Sequence, residues 1–222
     1  NLYYVRWEHR SSKWTIAADI MAIGEPGAAA ECVAGDDTND GATKATPWRT
    51  VAAAFGHWPK LAPGGAIRFC RGGVFSLGKA GKNLANSACS AASPCVVADY
   101  VAPWTVVNLE RPLLTQSISA PAFGFNNGSG PENQGVVVKN LRLQSTAEKG
   151  QAFFLYGGID HVLIDNVAMD GWYIGVQLAG GTGLNDHITL RNSEITNAIR
   201  HGFLGGGNHL LIEGNTFTAN GS

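Results

Sequence analysis

The residue types best suited to chemistry lie in three short connections in the C-terminal half of the chain, at positions 148–150, 170–173 and 199–201. Basic side chains bind carboxylates through charge-assisted hydrogen bonds, and an aromatic face packs well on a flat ring. The candidate residues are Lys149, Asp170, Trp172, Tyr173, Arg200 and His201. If the connections stack on one another, their pattern favours recognition of an acidic sugar chain. An ordinary solvated turn edge with surface charges is the alternative.

A Gly-rich, strand-like segment follows each of these connections, at residues 152–158, 174–181 and 202–207. Alternation along these segments predicts that Phe154, Tyr156, Gln177 and Leu204 point outward. Tyr156 and Gln177 are therefore further candidates for substrate contacts. The outward set holds no carboxylate, so the paired carboxylates of a glycoside hydrolase are not indicated.

Three histidines recur at one position, each directly after a short polar side chain. They are His161, His187 and His209. Imidazole is a common metal ligand, which makes a metal site one interpretation. Copies of one repeat position, about 4.8 Å apart in a stacked sheet, are more simply an exterior ladder at a turn. We therefore predict a ladder and no bound metal.

A repeat organises the C-terminal half of the chain. The segments VVVKN, HVLIDN, HITLRN and HLLIEGN superimpose without a gap. Apolar residues fill two columns: Val138, Ile164, Leu190 and Ile212 in the first, and Leu143, Met169, Ile195 and Phe217 in the second. The first column advances by 26, 26 and 22 residues. Such a regular period indicates a solenoid of repeated units.

Each unit contains about three short strands, because its apolar residues alternate over only a few positions before a turn. Stacking the units pairs each strand with its copy in the next unit, which predicts an all-β parallel β-helix. Between two strands of a unit stand Asn140, Asn166 and Asn192, with Gly214 in the fourth copy. These residues tolerate a left-handed backbone, so the column is predicted to be structural.

The N-terminal part has a different pattern. In residues 32–73, Thr46 and Pro47 suggest a helix start, Val51, Ala54, Phe55 and Trp58 form one apolar face, and Pro59 suggests the end. Such a helix would cover the open end of a solenoid. Residues 66–70 and 94–100 read as strands, and 94–222 as the coils of a β-helix domain spanning 32–222. Residues 1–31 form an N-terminal extension in which a β-hairpin is predicted.

Charge and hydropathy limit the choice of partners. The chain has 16 Lys plus Arg and 17 Asp plus Glu, for a net charge of −1. This balance provides no global field that would recruit nucleic acid or an anionic membrane. No apolar run approaches the about 18 residues of a membrane span. The Asp-rich loop DDTNDG starts like a calcium loop but lacks the closing Glu, so we predict no cofactor and regard Ca²⁺ as a weak alternative.

Four cysteines fit no compact zinc spacing, and their even number suits two disulfides in an oxidising compartment. Four buried free thiols are the alternative. Cys89 and Cys95 flank a short loop, and Cys32 and Cys70 bracket the cap region, so we predict the pairs Cys89–Cys95 and Cys32–Cys70. The predicted location is secreted, periplasmic or cell-surface.

A family resemblance covers roughly residues 32–222. The run GDDTNDG, TPWRT, LAPGG and IRFCRGGVF, followed by SPCVVADY, resembles the N-terminal part of secreted bacterial right-handed parallel β-helix proteins of the pectate-lyase-like superfamily. The resemblance implies a right-handed coil, an N-terminal cap and, in many relatives, action on polysaccharides. Relatives that cleave by β-elimination use Lys or Arg as the base, often with Ca²⁺ held by clustered carboxylates.

Two functions follow as expectations. The first is a polysaccharide lyase, with Lys149 or Arg200 as the base and His201 or Tyr173 as the proton donor. The second is a non-catalytic β-helix that binds glycans or serves as an adhesin-like spike. A glycoside hydrolase is less favoured because the outward strand positions lack carboxylates.

The fourth unit stops before another Gly-rich strand, at NTFTANGS. We expect either a C-terminally truncated solenoid or a homo-oligomer packed through residues 208–222, because an uncovered rung leaves backbone groups unpaired.

Overall fold

The computed structural model describes residues 17–20, 32, 34–79, 81–101, 109–126, 134–180 and 183–221. These residues form short strands joined by bends, with one α-helix among the described residues. The strands are β1 (Ala17–Ile20), β2 (Ala66–Cys70), β3 (Val74–Ser76), β4 (Lys82–Asn83), β5 (Cys95–Tyr100), β6 (Leu113–Gln116), β7 (Phe123–Asn126), β8 (Gln134–Lys139), β9 (Arg142–Ser145), β10 (Gln151–Tyr156), β11 (Asp160–Asp165), β12 (Ala168–Asp170), β13 (Ile174–Ala179), β14 (Asp186–Arg191), β15 (Glu194–Thr196), β16 (His201–Gly205), β17 (Leu211–Glu213) and β18 (Thr216–Thr218).

Three parallel sheets run along the molecule, and each successive coil adds one strand to each sheet. Sheet 1 has the order β1-β2-β5-β8-β11-β14-β17, sheet 2 the order β3-β6-β9-β12-β15-β18, and sheet 3 the order β4-β7-β10-β13-β16. Every strand pair is parallel, and the stack makes about five turns. The predicted parallel β-helix is confirmed.

The register of the sheets follows the apolar columns seen in the sequence. Ile164 pairs with Val138 and Leu190 in sheet 1, and Met169 pairs with Leu143 and Ile195 in sheet 2. Ile164 and Met169 are buried, as are Val162 and Val167. Burying each such side chain stabilises the fold by about 1.5–3 kcal/mol, so a gap-free column fixes the register of the whole stack.

The last rung keeps the register but not the burial. Ile212 pairs with Leu190, and Phe217 pairs with Ile195. Their side chains are nevertheless 44% and 45% exposed, because no described strand lies on their other side.

The bend between sheets 1 and 2 contains a column of left-handed residues, here called the Asn column: Asn140, Asn166, Asn192 and Gly214. Their φ angles of 59°, 55°, 51° and 63° confirm the predicted conformation. Asn166 Nδ2 donates to Asn140 Oδ1 at 2.9 Å, so these two amides stack as expected. Asn192 departs from this pattern and donates to Asp165 Oδ1 at 3.0 Å.

A short helix, α1 (Val51–Gly56), precedes the first coil. It begins after Thr50, whose hydroxyl accepts from Ala53 N, and the predicted start at Thr46 and Pro47 is wrong. The reason lies in Asp37, which accepts hydrogen bonds from the backbone N–H groups of Arg49 and Thr50 at 2.9 and 2.8 Å. These contacts hold residues 49–50 outside the helix.

The helix packs onto the interior of the solenoid through Phe55. Its ring lies 6.4 Å from that of Phe69 and 5.9 Å from that of Phe123, measured between centroids. A 3₁₀ turn (Trp58–Lys60) follows and includes Pro59, and Trp58 is fully buried. The apolar face predicted for this segment therefore joins the common core.

The disulfides form as predicted, between Cys32 and Cys70 and between Cys89 and Cys95, with Cα–Cα distances of 6.1 and 5.3 Å. In the N-terminal extension, β1 extends sheet 1 by pairing in parallel with β2. The rest of the predicted hairpin lies outside the described residues, and the division at residue 31 stays a prediction. Among the helices of the described ranges, none is long and apolar enough to span a membrane.

Candidate functional site

The outer surface of sheet 3, here called the sheet 3 face, carries the outward side chains predicted from the sequence. In β10, the buried Phe153 and Leu155 alternate with the outward Phe154 and Tyr156. Across the sheet Phe154 pairs with Gln177, which pairs in turn with Leu204. Tyr156 is 40% exposed. The parallel stack thus brings residues about 25 positions apart in the chain into one row.

An aromatic pair and an amide pair lie next to each other on this face. The rings of Phe154 and Tyr156 are 6.0 Å apart between centroids and nearly parallel, with an interplanar angle of 20°. Gln151 Nε2 donates to Gln177 Oε1 at 2.9 Å. Flat apolar rings beside amide groups can contact both the hydrophobic face and the hydroxyl groups of a sugar.

The three connections that enter sheet 3 stack as the repeat requires. Arg200 N donates to the Tyr173 carbonyl oxygen at 2.9 Å, and Ile174 N donates to the Gly150 carbonyl oxygen at 3.3 Å. Lys149 and Arg200 are exposed. His201 opens β16 and aligns with Ile174. The basic residues therefore lie along the edge where each coil enters the sheet 3 face.

Arg200 and Tyr173 contact each other directly in this edge. Arg200 Nη1 lies 3.4 Å from Tyr173 Oη, and the guanidinium carbon is 6.0 Å from the ring centroid. This cation–π contact orients both side chains at the surface.

Trp172 lies on the other side of the backbone, and its predicted role as a stacking platform for a sugar is wrong. The side chain is 1% exposed, and Nε1 donates to the Leu143 carbonyl oxygen at 3.1 Å. At a bend the side chain can be oriented toward solvent or toward the interior. For Trp172 the interior is favoured because it buries a large apolar surface. Tyr173 provides the outward aromatic ring of this connection.

Asp170 is held by structural contacts at the end of sheet 2. It accepts hydrogen bonds from Asn197 Nδ2, Thr196 Oγ1 and Gln144 Nε2, at distances between 2.8 and 3.2 Å. The bond from Asn197, followed by those from Thr196 and Gln144 and opposed by partial burial, lowers the pKa of this carboxyl. At neutral pH Asp170 is thus ionised, and its carboxylate oxygens are engaged by three hydrogen-bond donors, which makes it a poor proton donor.

Carboxylates are missing from the described strands of sheet 3, because none of β4, β7, β10, β13 and β16 contains Asp or Glu. The one lysine of these strands, Lys82, has its pKa lowered by burial. Its register aligns it with the buried Phe123, away from the row of Phe154 and Gln177.

A second cluster of polar side chains lies at the opposite end of sheet 1 from the Asn column, here called the His column: Gly135, His161, His187 and His209. The three imidazole rings stack with centroids 4.4 Å apart and interplanar angles of 13–14°. The predicted exterior ladder is confirmed. All four residues have left-handed φ angles, from 46° to 76°.

Two aspartates accompany the ladder. His187 Nδ1 lies 3.3 Å from Asp160 Oδ1 and 3.2 Å from Asp186 Oδ1, so it bridges the two carboxylates. His209 Nδ1 lies 2.7 Å from Asp186 Oδ1. This hydrogen bond is the main cause that lowers the pKa of Asp186, with the His187 N–H adding to it against slight desolvation. The sequence shows these aspartates as neighbours of the histidines, but it does not show that one carboxylate serves two rungs.

The Asp-rich loop needs no ion to explain its carboxylates, since each described one has donors within the loop or the helix start. Asp36 Oδ1 accepts from Thr38 N and Oγ1, and Asp40 Oδ1 accepts from Ala42 N. Together with the contacts of Asp37, these bonds fold the loop onto the cap.

Three stacked parallel sheets define the chain as a parallel β-helix protein. No protein-family model matches the sequence, and comparison with curated proteins gives no match. The parallel β-helix fold is established, and the resemblance to pectate-lyase-like proteins stays a prediction.

Proposed function

We propose that this protein binds polysaccharide along the sheet 3 face. The nearly parallel rings of the half-buried Phe154 and the exposed Tyr156 carry this proposal, because they form a flat apolar surface on a regular parallel sheet. The amides of Gln151 and Gln177 lie beside them and offer donors and acceptors to sugar hydroxyls. The repeat of the coils, about 4.8 Å per strand, lets an extended chain contact successive rungs.

Acidic polysaccharide is the preferred ligand class. Lys149 and Arg200 lie at the edge where the coils enter this face, and they carry positive charge toward solvent. The sheet itself presents no carboxylate among its described strands that would repel a uronate. A uronate group near Arg200 gains a charge-assisted hydrogen bond.

Lyase activity is the finer part of the proposal. In β-elimination a base removes the proton next to the uronate carboxyl, the glycosidic bond breaks, and a donor protonates the leaving oxygen. Arg200 or Lys149 is the proposed base, and His201 or Tyr173 the proposed donor. A hydrolase of the two-carboxylate type is not favoured, because the described strands of sheet 3 hold no such pair.

Binding and cleavage are separated by two measurements on a panel of uronate-containing and neutral polysaccharides. Affinity is measured by calorimetry, and cleavage by the ultraviolet absorbance of an unsaturated uronate product. Tyr156→Ala, Lys149→Ala and Arg200→Ala should each weaken binding of an anionic oligosaccharide by more than about 1 kcal/mol, roughly fivefold in affinity. Tyr156→Phe keeps the ring and is the matched control.

Unchanged affinity in all three alanine variants would refute the site. Binding without any unsaturated product would support the second candidate function, a non-catalytic glycan-binding or spike-like β-helix. The aromatic pair of Phe154 and Tyr156 favours this alternative as well, since glycan binding requires no catalytic group.

We also propose an extracellular or cell-surface location, supported by the two disulfides. Self-association through residues 208–222 is a further proposal, supported by the exposed apolar side chains Leu211, Ile212 and Phe217. Light scattering should give a smaller particle for Phe217→Glu than for the wild type. A monomeric wild type would contradict the proposed oligomer.

A further inference from the structure

The His column and the two aspartates beside it, Asp160 and Asp186, bring together side chains that could bind a metal ion. Asp160, His161 and His187 form one group of three whose ligand atoms all lie within 4.8 Å of one another. Asp186, His187 and His209 form a second. Neutral imidazole and carboxylate together are a donor set that suits divalent transition metals.

The backbone alone does not explain the histidines. The column needs a left-handed residue on each rung, and Gly135 meets that need in the rung before His161, with φ of 76°. The Asn column meets the same need with Asn and Gly. A left-handed conformation costs an ordinary L-residue about 1–2 kcal/mol, and Gly avoids this cost. His is found in this conformation more often than most residues, but Asn and Gly are too, so histidines on three consecutive rungs favour a role for the imidazole side chains.

The first group contains a polar atom that the protein leaves unsatisfied. His161 Nδ1 is buried and lies 2.7 Å from Asp160 Oδ1, yet it makes no aligned hydrogen bond. A ring nitrogen and a carboxylate oxygen this close without an aligned N–H between them form an unfavourable contact, and a cation bound to both atoms would relieve it. In the second group, His209 Nδ1 has its partner in Asp186.

The distances of the first group approach those of metal coordination. His187 Nδ1 and Asp160 Oδ1 are 3.3 Å apart. Two ligand atoms in a tetrahedral site are about 3.3 Å apart when the metal–ligand bonds are about 2.0–2.1 Å long, so the observed separation matches such a site. The shorter His161–Asp160 separation would have to widen, which would also relieve the unaligned contact.

Ring orientation sets one condition. The planes of His161 and His187 are nearly parallel, so their in-plane lone pairs do not converge on one point. One ring must turn about its Cβ–Cγ bond to bind the same ion. The side chain of His187 is 46% exposed and that of His161 is 38% exposed, so solvent borders both rings and leaves room for this rotation.

We propose that Asp160, His161 and His187 bind one divalent transition-metal ion of the zinc type. The site opens into a groove of about 330 Å³ on the outer surface of sheet 1, lined in part by Val137, Leu163 and Thr189. A water molecule or a ligand atom in this groove completes the coordination. The site is on a different sheet from the proposed glycan surface and does not depend on it.

Calorimetry on the untagged, metal-depleted full chain tests this site with Zn²⁺, Co²⁺ and Ca²⁺ as probes. We expect one Zn²⁺ per chain, a visible Co²⁺ absorption spectrum with imidazole ligands, and no Ca²⁺ binding. The variants are Asp160→Asn, which removes the carboxylate charge, and His161→Asn and His187→Asn, in which Asn tolerates the left-handed backbone that Ala would strain. Each should weaken Zn²⁺ binding by at least about tenfold.

His201→Asn removes an imidazole at another edge of the solenoid and should leave Zn²⁺ affinity unchanged. Circular dichroism checks that every variant keeps the β fold. Absence of Zn²⁺ binding, or equal affinity in wild type and His187→Asn, would overturn the proposal. Loss of binding in His209→Asn but not in His161→Asn would overturn the assignment to Asp160 and His161.

Discussion

The Asn column and the His column begin from the same backbone demand at the two ends of sheet 1. Every member of both columns has a left-handed φ angle, between 46° and 76°. In the Asn column the side chains bond to the protein: Asn166 donates to Asn140, and its Oδ1 accepts from Arg111 Nη1 at 2.9 Å. In the His column the rings stack on one another at the surface, and their Nδ1 atoms lie beside the carboxylates of Asp160 and Asp186.

The difference shows that a repeated position can be fixed by the backbone without fixing the side chain's task. Asn is suited to the first column because its short amide satisfies buried polar groups inside a bend. Imidazole gives the second column a stack of rings at the surface, each with a nitrogen beside a carboxylate. The comparison therefore supports a structural role for the Asn column, whose side chains bond within the protein, and leaves the imidazoles of the His column as donors for the proposed metal site.

The largest effect is expected for Asn166→Ala. Alanine is strained in the left-handed conformation that Asn tolerates, and it loses the side-chain hydrogen bonds to Asn140 and Arg111, so the free energy of unfolding should fall by about 2–3 kcal/mol. Denaturant unfolding measures this change. Asn166→Gly removes the strain and should lose only about 1–2 kcal/mol. Equal losses in the two variants would show that backbone strain plays no part.

A smaller effect on stability is expected when acid protonates Asp165, which directly precedes Asn166 of the Asn column. Burial acts to raise the pKa of Asp165, but hydrogen bonds from Arg191 and Asn192 outweigh it and leave the pKa below its ordinary value of 3.8. A lowered folded-state pKa gives stability that is present above pH 3.8 and is lost as pH falls through the folded value.

Asp165→Asn should therefore reduce stability near neutral pH by about 1 kcal/mol or less and flatten the loss of stability below about pH 4. Urea unfolding over a pH series measures both quantities. Glu213→Gln removes an exposed carboxylate two rungs further along the same column of sheet 1 and is the control. If Asp165→Asn lost stability below about pH 4 as steeply as the wild type, this role of Asp165 would be contradicted.

The smallest effect is expected for His187→Gly. The variant loses ring stacking and exposed polar contacts but relieves the left-handed strain, so its free energy of unfolding should stay within about 0.5 kcal/mol of the wild type. The same denaturant experiment compares it with Asn166→Gly. A loss as large as that of Asn166→Gly would mean that the His column is also structural, and the contrast between the columns would fail.

Much of the fold could be predicted from the sequence, because the repeat constrains both register and conformation. The column of Ile164 and its partners required a gap-free parallel stack, and Gly214 in place of Asn indicated the left-handed bend. The cysteine positions allowed the correct pairing because one loop is short and the other bridge joins the cap to the first coil. A repeat helps because the same residue pattern appears in several copies, and each copy must fit the same backbone conformation.

Features that depend on long-range contacts or on side-chain rotamers were harder to predict than the repeat itself. The helix start depends on Asp37, which bonds to Arg49 and Thr50 from a distant part of the loop, and local capping signals at Thr46 could not show this contact. The direction of Trp172 is set at a bend, where strand alternation no longer applies. The convergence of Asp160 with two histidines depends on rotamers and on the spacing between rungs.

The most direct test of the contrast between the columns is the unfolding free energy with and without Zn²⁺, in the wild type, Asn166→Gly and His187→Gly. A ligand that binds only the folded state stabilises it by about 2.7 kcal/mol at a free concentration roughly 100 times its Kd. We predict this gain for the wild type and for Asn166→Gly, and a gain smaller by at least about 1.3 kcal/mol for His187→Gly, which corresponds to the expected tenfold loss of Zn²⁺ affinity. Equal gains in both glycine variants, or no gain in the wild type, would contradict the assignment of ligand binding to the His column.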